Sequence, residues 1–275
     1  MRVAVYQART GIDPAANAED LARALAEAAA GGAAILFTPE MSGLLDRDRE
    51  RAARHYRREV DDPVLARVRE AAAEAGIWVE LGSLALLADD GERLVNRSFL
   101  IDDSGSVRAR YDKMHLFDVD LATGESWRES ASYVAGEQPV VAASPLGFIG
   151  LSICYDLRFA GLFGALSDAG ATVLSVPAAF TVPTGEAHWH VLLRSRAIES
   201  SCFVVAAAQC GEHEDGRATY GHSLVVDPWG RVLLDLDDAS PGLGFADLDL
   251  DELAAVRGRL PVLRHRRPIP KPVLR

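Results

Sequence analysis

The stretch Phe148-Ile-Gly-Leu-Ser-Ile-Cys154-Tyr-Asp-Leu-Arg158 passes abruptly from an apolar run to polar residues. A short apolar run bounded in this way reads as a buried strand. Its end puts the Cys154 thiol at the carboxyl edge of a sheet, where the chain turns into a helix. Such a junction exposes a nucleophile, and the N–H groups that follow have no helical acceptors and can bind a developing oxyanion. An isolated cysteine of this kind is usually a small core hydrophobe, so a chemical reading needs partners elsewhere in the chain.

Two other segments supply them. Ala34-Ile-Leu-Phe-Thr-Pro-Glu40 is a strand pattern ending in a carboxylate, and Tyr111-Asp-Lys113-Met-His-Leu-Phe-Asp118 places a lysine at the end of another. Further strand-like runs fall near residues 2–8, 77–85, 96–101, 172–176, 203–208 and 222–227. Helical patterns fall near 16–30, 62–75, 159–169 and 186–201. The alternation indicates an α/β architecture of sheets covered by helices, and by itself it also fits a doubly wound single sheet. Gly31-Gly32 reads as a helix stop and Asp227-Pro-Trp-Gly230 as a hairpin turn. Gly242-Leu-Gly244 lacks the third glycine of a dinucleotide loop and reads as a plain turn.

No linker divides the 275 residues, and 49% apolar content is enough for one large core, so residues 1–275 are expected to form a single domain. Residues 258–275, with Pro261, Pro268, Pro270 and Pro272, read as an extended C-terminal arm packed on a neighbouring subunit. A net charge of −11, from 29 basic and 40 acidic residues, argues against nucleic-acid and anionic-membrane binding. No apolar run approaches the roughly 20 residues that span a bilayer. The three cysteines, 154, 202 and 210, are odd in number and form no CxxC pair, which argues against a disulfide framework or zinc ribbon and for a cytoplasmic location.

The order glutamate, lysine, cysteine in these surroundings resembles the nitrilase superfamily of carbon–nitrogen hydrolases, along nearly the whole chain. The resemblance implies a four-layer α-β-β-α sandwich and subunits that pair as a homodimer or higher homo-oligomer. It implies Glu40 as general base, Lys113 as catalytic lysine, Cys154 as nucleophile and Glu129, in Trp127-Arg-Glu-Ser130, as a second active-site glutamate. Lys113 and the Tyr155 backbone N–H would hold the oxyanion. Arg158 matches an arginine that grips a substrate carboxylate, with Phe180 and Thr184 of Phe180-Thr-Val-Pro-Thr-Gly-Glu186 beside it. Where many relatives follow that arginine with Phe-Pro-Glu, this chain has Phe159-Ala-Gly161, so a supporting carboxylate is missing.

Within the superfamily, Ala187-His-Trp-His-Val-Leu-Leu-Arg-Ser-Arg-Ala-Ile-Glu199, Val204-Val-Ala-Ala-Ala-Gln-Cys-Gly211 and Tyr220-Gly-His-Ser-Leu-Val-Val-Asp-Pro-Trp-Gly230 look most like the amidases that act on deaminated glutathione. The implied function is hydrolysis of the γ-amide of an α-keto-acid amide through a thioester, with a small-molecule amide as partner and neither metal nor organic cofactor in the chemistry. The alternatives are an ω-amidase for 2-oxoglutaramate or 2-oxosuccinamate and a catalytically silent interaction module with the same fold. His115, His188, His190 and His222 are the candidates for a rival histidine base, and no GxSxG of a serine hydrolase occurs. The interleaved charges from Asp46 to Arg58 read as a solvated segment, and its position just after Glu40 leaves open that one of its arginines borders the pocket.

Overall fold

The computed structural model describes residues 1–120, 124, 126–237 and 240–274. Two six-stranded sheets form its interior. The first runs, in spatial order, Gly242–Asp247, Arg2–Gln7, Ile35–Phe37, Trp78–Leu87, Leu94–Ile101 and Val107–Asp112. The second runs Val232–Asp235, Leu224–Val226, Phe203–Ala206, Val173–Ser175, Gly147–Leu151 and Val140–Ser144. Each sheet has three parallel strands at its centre and antiparallel strands at its edges. Parallel strands need both faces covered, and alternate residues divide accordingly. Val3, Val5, Ile35, Phe37 and Leu100 join the core shared with the second sheet, while Ala4, Leu36, Val79, Leu81 and Phe99 pack under the helices Pro14–Ala30 and Pro63–Ala75. The helices Ala160–Asp168 and Val182–Ser200 cover the second sheet, with Phe163, Trp189 and Leu193 buried. The result is the α-β-β-α sandwich, not a single doubly wound sheet.

The helix starts follow from their caps. Asp13 and Asp62 each accept a backbone N–H of the first turn, and a proline follows each of them at the first helical position. The long helix begins at Val182, four residues before the expected 186, because Pro183 falls in its first turn, where a missing N–H costs nothing. Asp227-Pro-Trp-Gly230 is the expected hairpin turn, with Gly230 at φ +86°.

Two expectations are corrected. Gly242-Leu-Gly244 is no turn: it opens an edge strand antiparallel to Arg2–Gln7. A side chain at Gly244 would come within 2.7 Å of Leu234, so the glycine permits close approach and says nothing of loop structure. The C-terminal segment is also less extended than its prolines imply. Asp249 caps a helix Leu250–Arg259 whose last turn holds Arg257 and Arg259, and Val262–His265 forms another turn before regular structure ends. Arg266 then donates to Gly164 O, Ser167 Oγ, Asp168 and Glu199 O, tying this segment to the outer helices of its own chain. Among the described residues, no helix is long and apolar enough to cross a membrane.

Glu80 points from the first sheet toward the second and is fully buried. Ser98 Oγ donates to its Oε1 at 2.7 Å. Burial, only partly offset by Ser98 and Ser175, pushes its carboxyl from 4.5 up to about 7. The folded chain therefore retains a proton that the unfolded chain releases near pH 4.5, and stability falls as pH rises from there to about 7. Glu80→Gln should remove this loss. Its stability relative to wild type should grow by about 2–3 kcal/mol between pH 5 and pH 8, measured by denaturant unfolding across that range.

Candidate active site

Glu40 lies three residues beyond Phe37, Lys113 directly after Asp112 and Cys154 three residues beyond Leu151. Both sheets thus deliver the carboxyl ends of their strands to one place, which is where open α/β sheets form crevices. Gly82 makes the junction possible. A Cβ there would stand 2.1 Å from Thr38 O, 2.4 Å from Pro39 O and 2.6 Å from Pro177 Cβ. The strand Trp78–Leu87 therefore touches both the turn before Glu40 and the segment that supports Cys154. The Cys154 N–H donates to Pro177 O at 2.8 Å, and Cys154 itself has φ +50°, a left-handed conformation that a non-glycine residue adopts only where its surroundings enforce it.

The side chains converge. Lys113 Nζ donates to Glu40 Oε1 at 2.9 Å and to Glu129 Oε1 and Oε2 at 3.1 and 3.0 Å. The Ala179 N–H donates to Glu40 Oε2 at 3.1 Å, and the Cys154 thiol lines the same cleft as this carboxylate. Relative exposures of 5% for Glu40, 2% for Lys113 and 8% for Cys154 put three ionisable groups in a nearly dry site. Burial alone would raise the Glu40 carboxyl, but the Lys113 ammonium and hydrogen bonds from Cys154, Lys113 and Asn96 hold it below the ordinary carboxylate value. Burial likewise disfavours the Lys113 ammonium, yet Glu129 and Glu40 outweigh it and its pKa is raised well above that of free lysine. Burial and the Glu40 charge push the Cys154 thiol well above its ordinary value, against the pull of Lys113. The resting group is thus carboxylate, ammonium and neutral thiol.

Three supporting residues escape sequence reasoning. Asn96 Nδ2 donates to Glu40 Oε1 at 2.9 Å and to Glu129 Oε1 at 3.4 Å, spanning the two carboxylates. A lone amide amid the buried strand Leu94–Ile101 is the signal that marks it. Gln209 Nε2 donates to Glu40 O at 2.9 Å and to Thr10 Oγ1 at 2.7 Å, holding the Glu40 backbone from the segment that follows Phe203–Ala206. Asp156, wholly buried, accepts from Ile153 N and His115 N at 2.9 and 3.0 Å, from Tyr111 OH at 2.7 Å, and meets His115 Nδ1 at 2.6 Å. It binds the turn that carries Cys154 to the segment that carries Lys113.

The histidines are engaged away from the thiol: His115 with Asp156, His188 with Arg158, and His190 and His222 with Asp235. Glu40, Lys113, Cys154 and Glu129 line an open cleft of about 870 Å³, together with Tyr155, Arg158, Phe180 and Thr184. Arg158 lies 5.5 Å over the Phe180 ring and 5.8 Å over the Tyr155 ring, and its Nη1 is 3.2 Å from His188 Nδ1. Among the described residues no carboxylate pairs with it. The Thr184 hydroxyl bonds to Thr181 Oγ1 at 2.9 Å and to Thr181 O at 3.2 Å, at the start of its helix. Of the charged segment after Glu40, Asp46, Arg47, Arg49, Ala53 and Tyr56 border the cleft, with Asp46 paired to Arg51.

The family described as carbon–nitrogen hydrolase matches residues 2–258. The chain is 43% identical over 272 residues to the deaminated glutathione amidase of Bos taurus, covering 97% of this chain and 82% of that one. Its fold is similar to that of the C. elegans NitFhit protein, with a TM-score of 0.89 at 36% identity. The match covers 97% of this chain but spans only 65% of that protein. It is also similar to an amidase from Nesterenkonia sp. AN1, with a TM-score of 0.78 at 30% identity, covering 94% of this chain and 98% of that one. That amidase was solved with acrylamide joined by Michael addition to its active-site cysteine.

Asp156→Asn keeps the shape of the side chain but replaces one acceptor oxygen with a donor that faces N–H or O–H groups. It should lower stability by about 2–4 kcal/mol, read from the denaturant midpoint.

Proposed function

Since the chain belongs to the carbon–nitrogen hydrolase family and is an amidase of that family, we propose that Cys154 is its nucleophile, Glu40 its general base and Lys113 its oxyanion-binding cation. The observation that carries this is a buried Glu40 carboxylate 2.9 Å from the buried Lys113 ammonium, the two lining one cleft with the Cys154 thiol. Glu40 takes the thiol proton as sulfur attacks the amide carbon. The oxyanion is met by the Tyr155 N–H, which lies in the first turn of the 3-10 helix Cys154–Arg158 and has no intrahelical acceptor, and by a Lys113 N–H. One ammonium proton serves Glu40 and one is shared by the Glu129 oxygens, so a third remains for the substrate. Glu129, bonded also to the Phe117 N–H at 2.7 Å, fixes Lys113 in place. Glu40 then protonates the departing nitrogen, the amine leaves a thioester, and a water deprotonated by Glu40 hydrolyses it and restores the thiol.

The substrate we propose is deaminated glutathione, cleaved at its γ-amide to 2-oxoglutarate and cysteinylglycine. Arg158 supports it: an ion-unpaired guanidinium on an aromatic floor suits bidentate capture of the carboxylate beside the keto group. The loss of the glutamate that often follows this arginine leaves it oriented by Tyr155, Phe180 and His188. Arg47 and Arg49, farther along the cleft, favour a leaving group that carries its own carboxylate over the ammonia released by an ω-amidase. The three cysteines, none in a disulfide among the described residues, support a reducing, cytoplasmic setting, and the exposed Val191 and Ile198 on the helix Val182–Ser200 support pairing of subunits through that layer.

Cys154→Ala should abolish turnover with the thermal midpoint retained, and Glu40→Gln and Lys113→Ala should each lower kcat by at least about a hundredfold. Near-normal rates in either of the latter would remove its assigned role. Arg158→Ala should raise KM for carboxylate-bearing amides by one to three orders of magnitude, about 1.4 to 4 kcal/mol, with a far smaller effect on a small neutral amide. Purified protein assayed on deaminated glutathione and on 2-oxoglutaramate should favour the former by at least about tenfold in kcat/KM. The reverse preference would make it an ω-amidase.

A further inference from the structure

Outside the cleft lining, three segments bring ligand-type side chains to one point. His190 comes from the helix Val182–Ser200, His222 from the turn after Ala218–Tyr220, and Asp235 from the end of the edge strand Val232–Asp235. His190 Nε2 stands 2.9 Å from Asp235 Oδ2, and His222 Nδ1 2.9 Å from Asp235 Oδ1. One donor atom from each residue lies within 4.8 Å of the others. The two imidazoles cross at 71° with centroids 5.1 Å apart, and all three side chains keep one side open to water.

The turn fixes His222 independently of Asp235. Its carbonyl accepts from the indole N–H of the fully buried Trp189 at 2.8 Å, its N–H donates to Asp237 O at 3.3 Å, and its φ is +55°. Partly exposed hydrogen bonds between two imidazoles and one carboxylate contribute on the order of 1 kcal/mol each. A left-handed histidine costs a comparable amount. Hydrogen bonding alone therefore gives little reason for this arrangement.

We propose that His190, His222 and Asp235 bind a divalent transition-metal ion, with Zn²⁺ as the reference case, through two imidazole nitrogens and one carboxylate oxygen, water completing the shell. Imidazole donors select such ions over Mg²⁺ and Ca²⁺, and three protein ligands with an open position make a stable but accessible site. The Tyr220 ring, 4.6 Å from that of His222, closes one side. The ion joins helix, turn and sheet edge just behind Ala218 and Thr219, which line the cleft, and it takes no part in cleaving the amide.

The test uses full-length, tag-free protein carrying Cys154→Ala, so that the active-site thiol cannot take the metal. After chelator treatment it is titrated with ZnCl₂ by calorimetry and with CoCl₂ by visible absorption. One equivalent per chain is expected, with a rise in thermal midpoint at saturation. His190→Gln and Asp235→Asn, each in the same background, should weaken binding by at least about tenfold and abolish that rise, whereas His55→Gln should change neither. Absence of binding at millimolar Zn²⁺, or binding that both variants leave intact, would overturn the site. Retained far-UV circular dichroism in either ligand variant separates lost binding from lost folding.

Discussion

A single ammonium, Lys113, buried between Glu40 and Glu129, governs the arrangement of the chain around it. A charge at 2% exposure is costly unless it is paired and hydrogen-bonded, so both carboxylates must be present and held. Asn96 spans them, Ala179 and Phe117 donate backbone N–H groups to them, and Gln209 restrains the Glu40 main chain. The same ammonium keeps Glu40 ionised in a place where burial would otherwise protonate it. The electrostatic condition for a base and the packing condition for a buried cation are met by one set of contacts.

The cost of this arrangement falls on the backbone. Cys154 sits at φ +50° and Met41, directly after Glu40, at φ +57°, each fixed by a hydrogen bond of its own: Cys154 N–H to Pro177 O and Met41 N–H to Ser83 Oγ. Two of the four left-handed non-glycine residues among those described thus place the base and the nucleophile, as expected where surrounding structure over-determines a site. Asp156 binds the Cys154 turn to the Lys113 segment and so ties the two sheets together at their carboxyl ends.

What the amino-acid sequence reveals is the local part. Apolar runs that stop before Glu40 and Cys154 are visible because each strand end changes polarity within a residue or two, whereas the strand that ends beside Lys113, Val107–Asp112, alternates apolar and polar residues. Caps such as Asp13 and Asp62 set the helix starts. The division of strands between two sheets is not legible, because Ile35–Phe37 and Val173–Ser175 are equally apolar and differ only in distant partners. Gly242–Asp247 is hidden because glycine serves both turns and tight packing. Asn96, Gln209 and Asp156 are hidden for a related reason: their importance lies in partners 33 to 169 residues away, and an amide or carboxylate on a strand has many ordinary explanations.

Gly82 has a consequence for how such a molecule can diversify. Where its missing side chain lets Thr38, Pro39 and Pro177 meet, the two sheets touch with no room for a methyl group, so the floor of the cleft has a fixed gauge. Strand spacing there cannot widen for a bulkier acyl group without separating base from nucleophile. The outer wall carries no such restriction: Arg47, Arg49 and Tyr56 come from a loop and a short helix, and Trp127 to Tyr133 from a small two-stranded lobe and the turn after it. Selectivity in this architecture is therefore adjusted at the mouth, on segments that can be exchanged without disturbing the reacting groups.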